Sequence, residues 1–387
     1  MKKYDLAILC GGLGSRLGEI TKKTPKPLVK IGKTHFIDFL LNFYSSSPKI
    51  NNIFLMTGYK NSQFKKYHKT YRNLKLIVCC VEKKPLGTFG ALSLLKNKVT
   101  KQFLVINGDS FVNYNIEKFL NLKGKNKILL CSSKNYKENT KLINLKINKK
   151  DKKIIFSNTS ENKLMNAGVY CIDSDNLLRL NQKFLSIESE FITKLINKKK
   201  LYGKYTNGYF IDIGIKKNLL KFKKDYRKLF EKPAIFLDRD GVVNEDFGYV
   251  SSKLKFKPKE NVLKTLDKKY SNYYKFIVTN QSGIGRGYYT YSHYIKFQQW
   301  INELLLKKYN ILISDTKFCP HHPKFAKKKY KKNCECRKPN NGTIKELFET
   351  FCIIKKKSLF IGDKLSDSLC AKRSNIRFLS PDQFLKT

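Results

Sequence analysis

Acid is the scarcest thing in this chain. Against 79 lysines and arginines it carries 30 aspartates and glutamates, a formal charge of +49 over 387 residues. A field of that sign draws in anions, nucleotides and sugar phosphates included. A nucleic-acid footprint would gather the lysines into one patch. Here they run along the whole chain beside abundant Asn, Ile, Tyr and Phe, so the charge reads as compositional bias. No specific nucleic-acid partner is expected. An apolar run long enough to span a bilayer is also missing, so no membrane partner is expected either. The first residues, Met1-Lys2-Lys3-Tyr4-Asp5-Leu6, enter a strand without the apolar core and cleavage site of a signal peptide, and a cytoplasmic enzyme is the expectation. Most of the ten cysteines are scattered. Cys10, Cys79, Cys80, Cys131 and Cys171 sit among apolar neighbours and read as reduced core residues, not a disulfide framework. Hydrophobic residues make up 41%. That excludes a disordered chain, and the length allows two domains, each with its own core.

What is present centres on Ala234 to Asn244. Ala234 to Leu237 reads as a buried parallel strand ending in Asp238 and Asp240, followed by Gly241. Open α/β sheets keep their active sites at such strand ends. Two carboxylates one residue apart suit a nucleophile and an acid/base gathered around a hard cation.

Upstream, the strand Leu6 to Cys10 runs into Gly11-Gly12-Leu13-Gly14-Ser15-Arg16-Leu17. The glycines let backbone N–H groups approach phosphate or base, and Arg16 offers a fixed positive fork. Thr24-Pro25-Lys26-Pro27-Leu28 follows, its prolines fixing an extended segment that holds Lys26. Further strands are expected at 53–57 and 74–81, with helical segments near 36–44 and 63–68. Pro85-Leu86-Gly87-Thr88-Phe89-Gly90-Ala91 reads as a turn opening a helix, a site for anions or a base. Strand 103–106 ends in Asn107-Gly108-Asp109. Asn166-Ala167-Gly168-Val169-Tyr170 precedes another strand, and Asp212-Ile213-Gly214 supplies a second isolated carboxylate.

Six such pieces in this order resemble the sugar-1-phosphate nucleotidyltransferases of the heptose-1-phosphate guanylyltransferase type, over roughly residues 3 to 226. The resemblance implies a Rossmann-like fold with a mixed sheet. It implies attack of a sugar 1-phosphate oxygen on the α-phosphorus of a nucleoside triphosphate. Arg16 and Lys26 would be catalytic and, with Gly11, Gly12, Gly14, Gly87, Thr88 and Asp109, would bind the nucleotide. Asn166 and Gly168 would touch the sugar, and Asp109 and Asp212 would hold Mg²⁺. One departure stands out. The family's Glu-Lys pair before the Asn-x-Gly motif is absent from Ile155 to Asn162, leaving Lys163 as a possible substitute.

A helix is expected over Lys216 to Phe230, closing before Pro233, with the domain join at 228–233 and domains over 1–230 and 233–387. Beyond Asp240 lies the loop Asp246-Phe247-Gly248-Tyr249-Val250. A second strand, 276–278, ends in Thr279-Asn280-Gln281-Ser282, whose hydroxyl and amides can cradle a phosphoryl group. A helix near 292–308 precedes Cys319-Pro320-His321-His322-Pro323 and Cys334-Glu335-Cys336. Cys319, His321, Cys334 and Cys336 make a soft tetrahedral set with no open position, a structural Zn²⁺ site that would fix the basic loop between them. His322 competes with His321 for the fourth place. Arg337 and Lys338 follow, and strand 359–361 ends in Asp363-Lys364-Leu365-Ser366-Asp367.

This half resembles the haloacid-dehalogenase superfamily of phosphatases, through Asp238-x-Asp240, Thr279, Lys338 and Asp363 with Asp367. Within it, Asp246 to Val250, Thr279 to Ile284, the zinc loop and Cys336-Arg337-Lys338-Pro339 narrow the match to D-glycero-D-manno-heptose 1,7-bisphosphate 7-phosphatases. Histidinol-phosphate phosphatases are the alternative. The resemblance implies that Asp238 attacks phosphorus and Asp240 is acid and base. Thr279 and Lys338 would stabilise the phosphoryl oxygens. Mg²⁺ would sit on Asp238, Asp363 and the Asp240 carbonyl. Asp246, Phe247, Gly248, Tyr249, Asn280, Gln281, Ser282, Lys338 and Lys364 would bind substrate, and Arg337 the sugar's other phosphate.

The expected architecture is therefore α/β in two domains: a Rossmann-like nucleotidyltransferase with a mixed sheet, then a Rossmannoid phosphatase with a zinc-binding loop. The expected activity is bifunctional, with removal of the 7-phosphate and transfer of a nucleotidyl group to the heptose 1-phosphate left behind. GTP is the donor inferred from the pairing of families, with ATP or another sugar still open. A basic phosphatase acting on polynucleotide ends is the competing class, and it requires a contiguous basic groove at Asp238.

Overall fold

The computed structural model describes residues 2–132, 143–156, 164–178, 180 and 184–387. The chain divides into two compact units. The first comprises Met1–Leu40, Lys49–Tyr71 and Lys75–Lys224; the second comprises Leu41–Pro48, Arg72–Leu74 and Asp225–Thr387.

In the first unit, β1 (Tyr4–Leu9), β2 (Ile50–Thr57), β3 (Lys75–Val81) and β4 (Gln102–Asn107) form the parallel heart of a sheet, in the order β4-β1-β2-β3. β1 lies between β2 and β4 and is buried on both faces, as a central parallel strand is expected to be. A short strand, β5 (Ser110–Val112), follows β4. The sheet turns mixed beyond β4. The long strand β7 (Leu164–Asp173) pairs antiparallel with β4 and with β6 (Asn126–Ser132), and β8 (Leu201–Tyr205) pairs parallel with β6. A separate two-stranded ribbon joins β5 to β9 (Phe210–Asp212), with Asp212 opposite Ser110. Helix α1 (Phe36–Ser46) packs Phe36 and Phe39 edge-on against Phe222 of α2 (Lys216–Phe230), at 5.2 and 5.5 Å between centroids.

Three local expectations need correction. Asn166 to Tyr170 lie inside β7, not ahead of it. Gly168, at φ +69°, takes up a shift in the pairing between Asn166 and Tyr170, and a Cβ there would meet Asn107 Nδ2 at 2.8 Å. The segment near 63–68 is a 3₁₀ helix, Asn61–Tyr67. The helix at Gly87 is a single turn, Gly87–Gly90. Leu185 crosses it, its carbonyl accepting from the Phe89 and Gly90 N–H groups at 2.9 and 3.2 Å, and those amides are thereby spent.

The second unit is built on an all-parallel sheet of β10 (Ala234–Leu237), β11 (Tyr274–Asn280), β12 (Asp315–Cys319), β13 (Leu359–Ile361) and β14 (Arg377–Leu379), in the order β12-β11-β10-β13-β14. The path runs outward from β10 through β11 to β12 and returns on the other side through β13. The sheet therefore reverses direction between β10 and β13, and the carboxyl ends of those strands border a crevice. Alternation builds two cores. Ile235, Leu237 and Ile277 face one with α3 (Glu260–Lys269) and α4 (Tyr291–Tyr309). Phe236, Phe276 and Phe360 face the other with α5 (Gly342–Thr350) and α6 (Leu365–Arg373).

Candidate active sites

In the second unit Asp238 leaves the end of β10 with its N–H on the Ile361 carbonyl at 2.9 Å. The same strand ends deliver Thr279 from β11 and Asp363 beyond β13. Lys338 Nζ lies 2.9 Å from Asp238 Oδ1 and 2.7 Å from Asp367 Oδ1, and all three side chains are buried. Burial pushes the Asp238 carboxyl up to about 6, against the pull of Lys338. The two carboxylates in turn hold the Lys338 ammonium above its ordinary range, against the effect of burial. Asn280 fixes the lysine by its backbone, Nδ2 donating to the Lys338 carbonyl and Oδ1 accepting its N–H, both at 3.1 Å. Its amide is therefore used to position Lys338.

Asp240 turns away from this cluster. Its carboxylate accepts from Arg239 Nη2 at 2.9 and 2.8 Å, from Arg239 Nε at 3.1 Å, from Asn244 Nδ2 at 3.0 Å and from Gln281 Nε2 at 3.0 Å. Gln281 Nε2 also reaches Thr279 Oγ1 at 2.9 Å, and Tyr289 O–H donates to Gln281 Oε1 at 2.8 Å. Of this net only Asp240, Thr279 and Gln281 were singled out from sequence. Arg239, Asn244 and Tyr289 were missed. A charged side chain wedged between two aspartates just past an apolar strand was the available signal for Arg239, which is fully buried.

Asp238, Asp363 and Asp367 offer carboxylate oxygens within 4.8 Å of one another. An all-oxygen set of this kind fits a hard divalent cation. Gly241, at φ +90°, makes room for it: a Cβ there would fall 2.1 Å from Asp363 Oδ2. At the rim, Lys364 Nζ pairs with Asp246 Oδ2 at 2.8 Å, and this contact, with the Gly248 N–H, holds Asp246 low although burial opposes it. Phe247 and Tyr249 are exposed, and Tyr249 packs edge-on against Tyr288 at 4.7 Å. Ser282 begins a short helix beside them, and Arg337 donates to the His321 carbonyl at 3.0 Å.

Cys319, His321, Cys334 and Cys336 converge. Their sulfurs lie 3.2 to 3.5 Å apart, and His321 Nδ1 sits 3.3 Å from Cys336 Sγ and 3.6 Å from Cys319 Sγ. A tetrahedron with ~2.3 Å metal–sulfur bonds has edges of about 3.8 Å, so the cage is contracted by a few tenths of an ångström and fits Zn²⁺. His322 does not compete for the place. Its Nδ1 accepts from Lys324 and Phe325 N–H, both at 3.1 Å.

In the first unit the β5–β9 pairing brings Asp109 and Asp212 to one end of the ribbon. Ile213 N–H bonds the Asp109 carbonyl at 2.9 Å, and Gly214 N–H bonds Asp212 Oδ1 at 2.6 Å. Lys26 Nζ contacts Asp109 Oδ2 at 3.0 Å. A Cβ on Gly214 would meet Asp212 Oδ1 at 2.7 Å, Arg16 Nη2 at 3.1 Å and Lys26 Nζ at 3.3 Å, so both cations converge on the two carboxylates. Burial, reinforced by Asp109, pushes Asp212 up to about 6. Gly14 (φ +73°) lies under the Lys26 stem, and Gly11 abuts the Glu82 carboxylate. A Cβ on Gly12 would meet nothing within 4 Å. Thr88 Oγ1 accepts the Ile187 N–H at 2.8 Å, and Asn166 Oδ1 accepts the Gly168 N–H at 2.9 Å. Lys163 and the rest of 157–163 lie outside the described residues.

Residues 7–229 match the family model for Nucleotidyl transferase. A D-glycero-beta-D-manno-heptose-1,7-bisphosphate 7-phosphatase of Haemophilus ducreyi is 35% identical over 147 residues, 38% of this chain and 80% of the relative. The enzyme of the same name from Helicobacter pylori is 37% identical over 145 residues, 37% of this chain and 80% of the relative. Among solved structures, HddC from Yersinia pseudotuberculosis shares 25% identity at a TM-score of 0.47, over 58% of this chain and 99% of that one.

Proposed function

The chain belongs to the Nucleotidyl transferase family over residues 7–229 and to the D-glycero-beta-D-manno-heptose-1,7-bisphosphate 7-phosphatase family over 147 residues, and from that premise we propose that it runs two consecutive steps of nucleotide-activated heptose synthesis. The second unit removes the 7-phosphate of a heptose 1,7-bisphosphate. The first transfers a nucleotidyl group, GMP from GTP, to the heptose 1-phosphate that remains. We take the domain join to be 228–233, at the end of the family match and just before β10.

In the phosphatase step Asp238 attacks phosphorus and forms an aspartyl phosphate as the bond to the sugar oxygen breaks. Asp240 gives its proton to that oxygen. It then takes a proton from water, whose oxygen attacks phosphorus and frees Asp238 and inorganic phosphate. Lys338 and Thr279 stabilise the equatorial oxygens. Asp238, Asp363, the Asp240 carbonyl and, from its position, Asp367 would hold Mg²⁺, which would offset the repulsion between carboxylate and phosphate. Phe247 and the paired rings of Tyr249 and Tyr288 would offer exposed aromatic faces to the sugar. Lys364, Asp246, Gly248, Ser282 and Arg337 complete the rim. Zn²⁺ on Cys319, His321, Cys334 and Cys336 would hold the basic loop in shape.

In the transfer step the oxygen of the heptose 1-phosphate attacks the α-phosphorus, and pyrophosphate leaves. Arg16 and Lys26 stabilise the charge that builds there. Asp109 and Asp212 would hold Mg²⁺ between the phosphates. Gly11, Gly12, Gly14, Gly87 and Thr88 would line the nucleotide, and Asn166 and Gly168 the sugar. Both steps belong in the cytoplasm, where thiols stay reduced and nucleoside triphosphates are made; no helix of the described residues is long and apolar enough to cross a membrane.

The observation that carries the reading is the ion-paired trio Asp238, Lys338 and Asp367 beside a separately tethered Asp240, on a chain whose other unit pairs Lys26 with Asp109. Single variants test it. Asp238→Asn should abolish phosphate release and leave pyrophosphate release from heptose 1-phosphate and GTP intact, and Asp109→Ala should do the reverse. Loss of both activities in either variant would contradict two independent sites.

A further inference from the structure

The side chain of Gln281 is buried, and both ends of its amide are used within the chain. Nε2 donates to Asp240 Oδ2 at 3.0 Å and to Thr279 Oγ1 at 2.9 Å, while Oε1 accepts from Tyr289 O–H at 2.8 Å. An amide carries two donors on one side and an acceptor on the other, so the way round it sits decides what each neighbour must do. With nitrogen toward the crevice, Thr279 Oγ1 is an acceptor, and the hydrogen of that hydroxyl is left over. Among the described residues it has no acceptor. It is free to donate to a phosphoryl oxygen arriving at Asp238. Turned over, the amide would set its oxygen against the Asp240 carboxylate. It would also accept the Thr279 hydrogen and take it from the phosphoryl group.

The surrounding chain holds the first of these arrangements. Gln281 N–H bonds the Cys319 carbonyl at 2.7 Å, which fixes where the side chain starts. The chain then reverses at Gly287, φ +84°, and Tyr288 N–H returns to the Gly283 carbonyl at 2.9 Å. A Cβ on Gly283 would lie 2.7 Å from Tyr289 Oη, so the glycine lets the phenol lie over the start of the short helix. Burial pushes that phenol up to about 12, and it keeps the hydrogen it gives to Gln281.

We propose that Tyr289 is a positioning residue of the phosphatase step: through the Gln281 amide it sets the Thr279 hydroxyl as a hydrogen-bond donor to the phosphoryl group. Tyr289 acts on Gln281 and not on the substrate. This role rests on the phosphatase reading above.

Phosphate release from heptose 1,7-bisphosphate by the full-length chain tests it. Tyr289→Phe removes one oxygen and keeps the ring. It should lower kcat about tenfold, on the scale of one hydrogen bond, and move KM by less than about twofold. Orthovanadate takes the trigonal-bipyramidal shape of the phosphoryl group in transfer. It should inhibit the variant about tenfold more weakly, with inorganic phosphate inhibiting both chains alike. Thr279→Val removes the hydroxyl itself, and adding Tyr289→Phe to it should cost less than about a further twofold. Pyrophosphate release should be unchanged throughout. A native kcat in Tyr289→Phe overturns the role. So does an undiminished loss on the Thr279→Val background, or an equal loss of affinity for vanadate and phosphate. If the native chain releases no phosphate, the phosphatase reading itself falls and this role falls with it.

Discussion

Arg239 grips the carboxylate of the residue that follows it: Nη2 lies 2.9 and 2.8 Å from the two oxygens of Asp240, and the guanidinium is fully buried. Its other Nη2 bond runs to the Val250 carbonyl at 2.7 Å, and Tyr294 and Phe297 face it at 5.8 Å. The proposed acid/base is thus held by a neighbour whose own position is fixed by two aromatic rings and a carbonyl. Planar, forked geometry makes this a task lysine cannot copy.

Arg239→Met should release Asp240 and leave its charge uncompensated. The expected result is a phosphatase kcat about a hundredfold lower with little change in KM. Stability of the second unit should fall by about 3–5 kcal/mol in urea, the cost of breaking a buried pair. A variant that loses stability but keeps kcat would show that Arg239 serves only the fold.

Gly241→Ala attacks the crevice. A methyl at φ +90° would press against the Asp363 carboxylate. Phosphatase activity should fall sharply and the Mg²⁺ concentration needed for half-activity should rise, while pyrophosphate release is unchanged. Equal Mg²⁺ dependence in variant and native chain would remove Asp363 from the cation site.

The cysteine cage should carry close to one Zn²⁺ per chain by elemental analysis. Cys334→Ser should lose it and lower the melting temperature of the second unit, and His322→Ala should retain it. Loss of metal in His322→Ala, or full metal content in Cys334→Ser, would refute the ligand set.

Lys275 gives a pH dependence with a definite sign. Burial, aided by Lys232, pushes its ammonium down to about 8, although Nζ donates to the Tyr270 carbonyl at 2.7 Å. Unfolded, it titrates near about 10.4. Between those values the unfolded chain binds more protons, so the lysine makes stability rise with pH across that window and contributes no slope below it. Urea midpoints of the native chain and Lys275→Met should therefore draw together from about pH 8 upward if the methionine variant is the more stable. Parallel curves would contradict the depressed value.

Much of this was legible in the sequence because strand ends carry their own punctuation. Leu237 to Gly241 and Phe360 to Asp363 announce both the strand and the carboxylate, and the parallel order joins them. The cysteine set was legible from residue type and spacing, and the choice of His321 over His322 needed the loop's backbone. Other features depend on partners far along the chain. The single turn at Gly87 is set by Leu185, and the role of Asn280 by the backbone of Lys338. Asp240's tether could not be inferred from alternation, since Arg239 is buried by rings contributed from α4.

The central claim is that one chain makes a sugar 1-phosphate and then consumes it. The direct measurement starts from heptose 1,7-bisphosphate with GTP, ATP, CTP or UTP and follows phosphate and pyrophosphate together. The account predicts phosphate release in every reaction and a delayed release of pyrophosphate with GTP alone. Pyrophosphate appearing ahead of phosphate, or failing to appear with any of the four nucleotides, would contradict it.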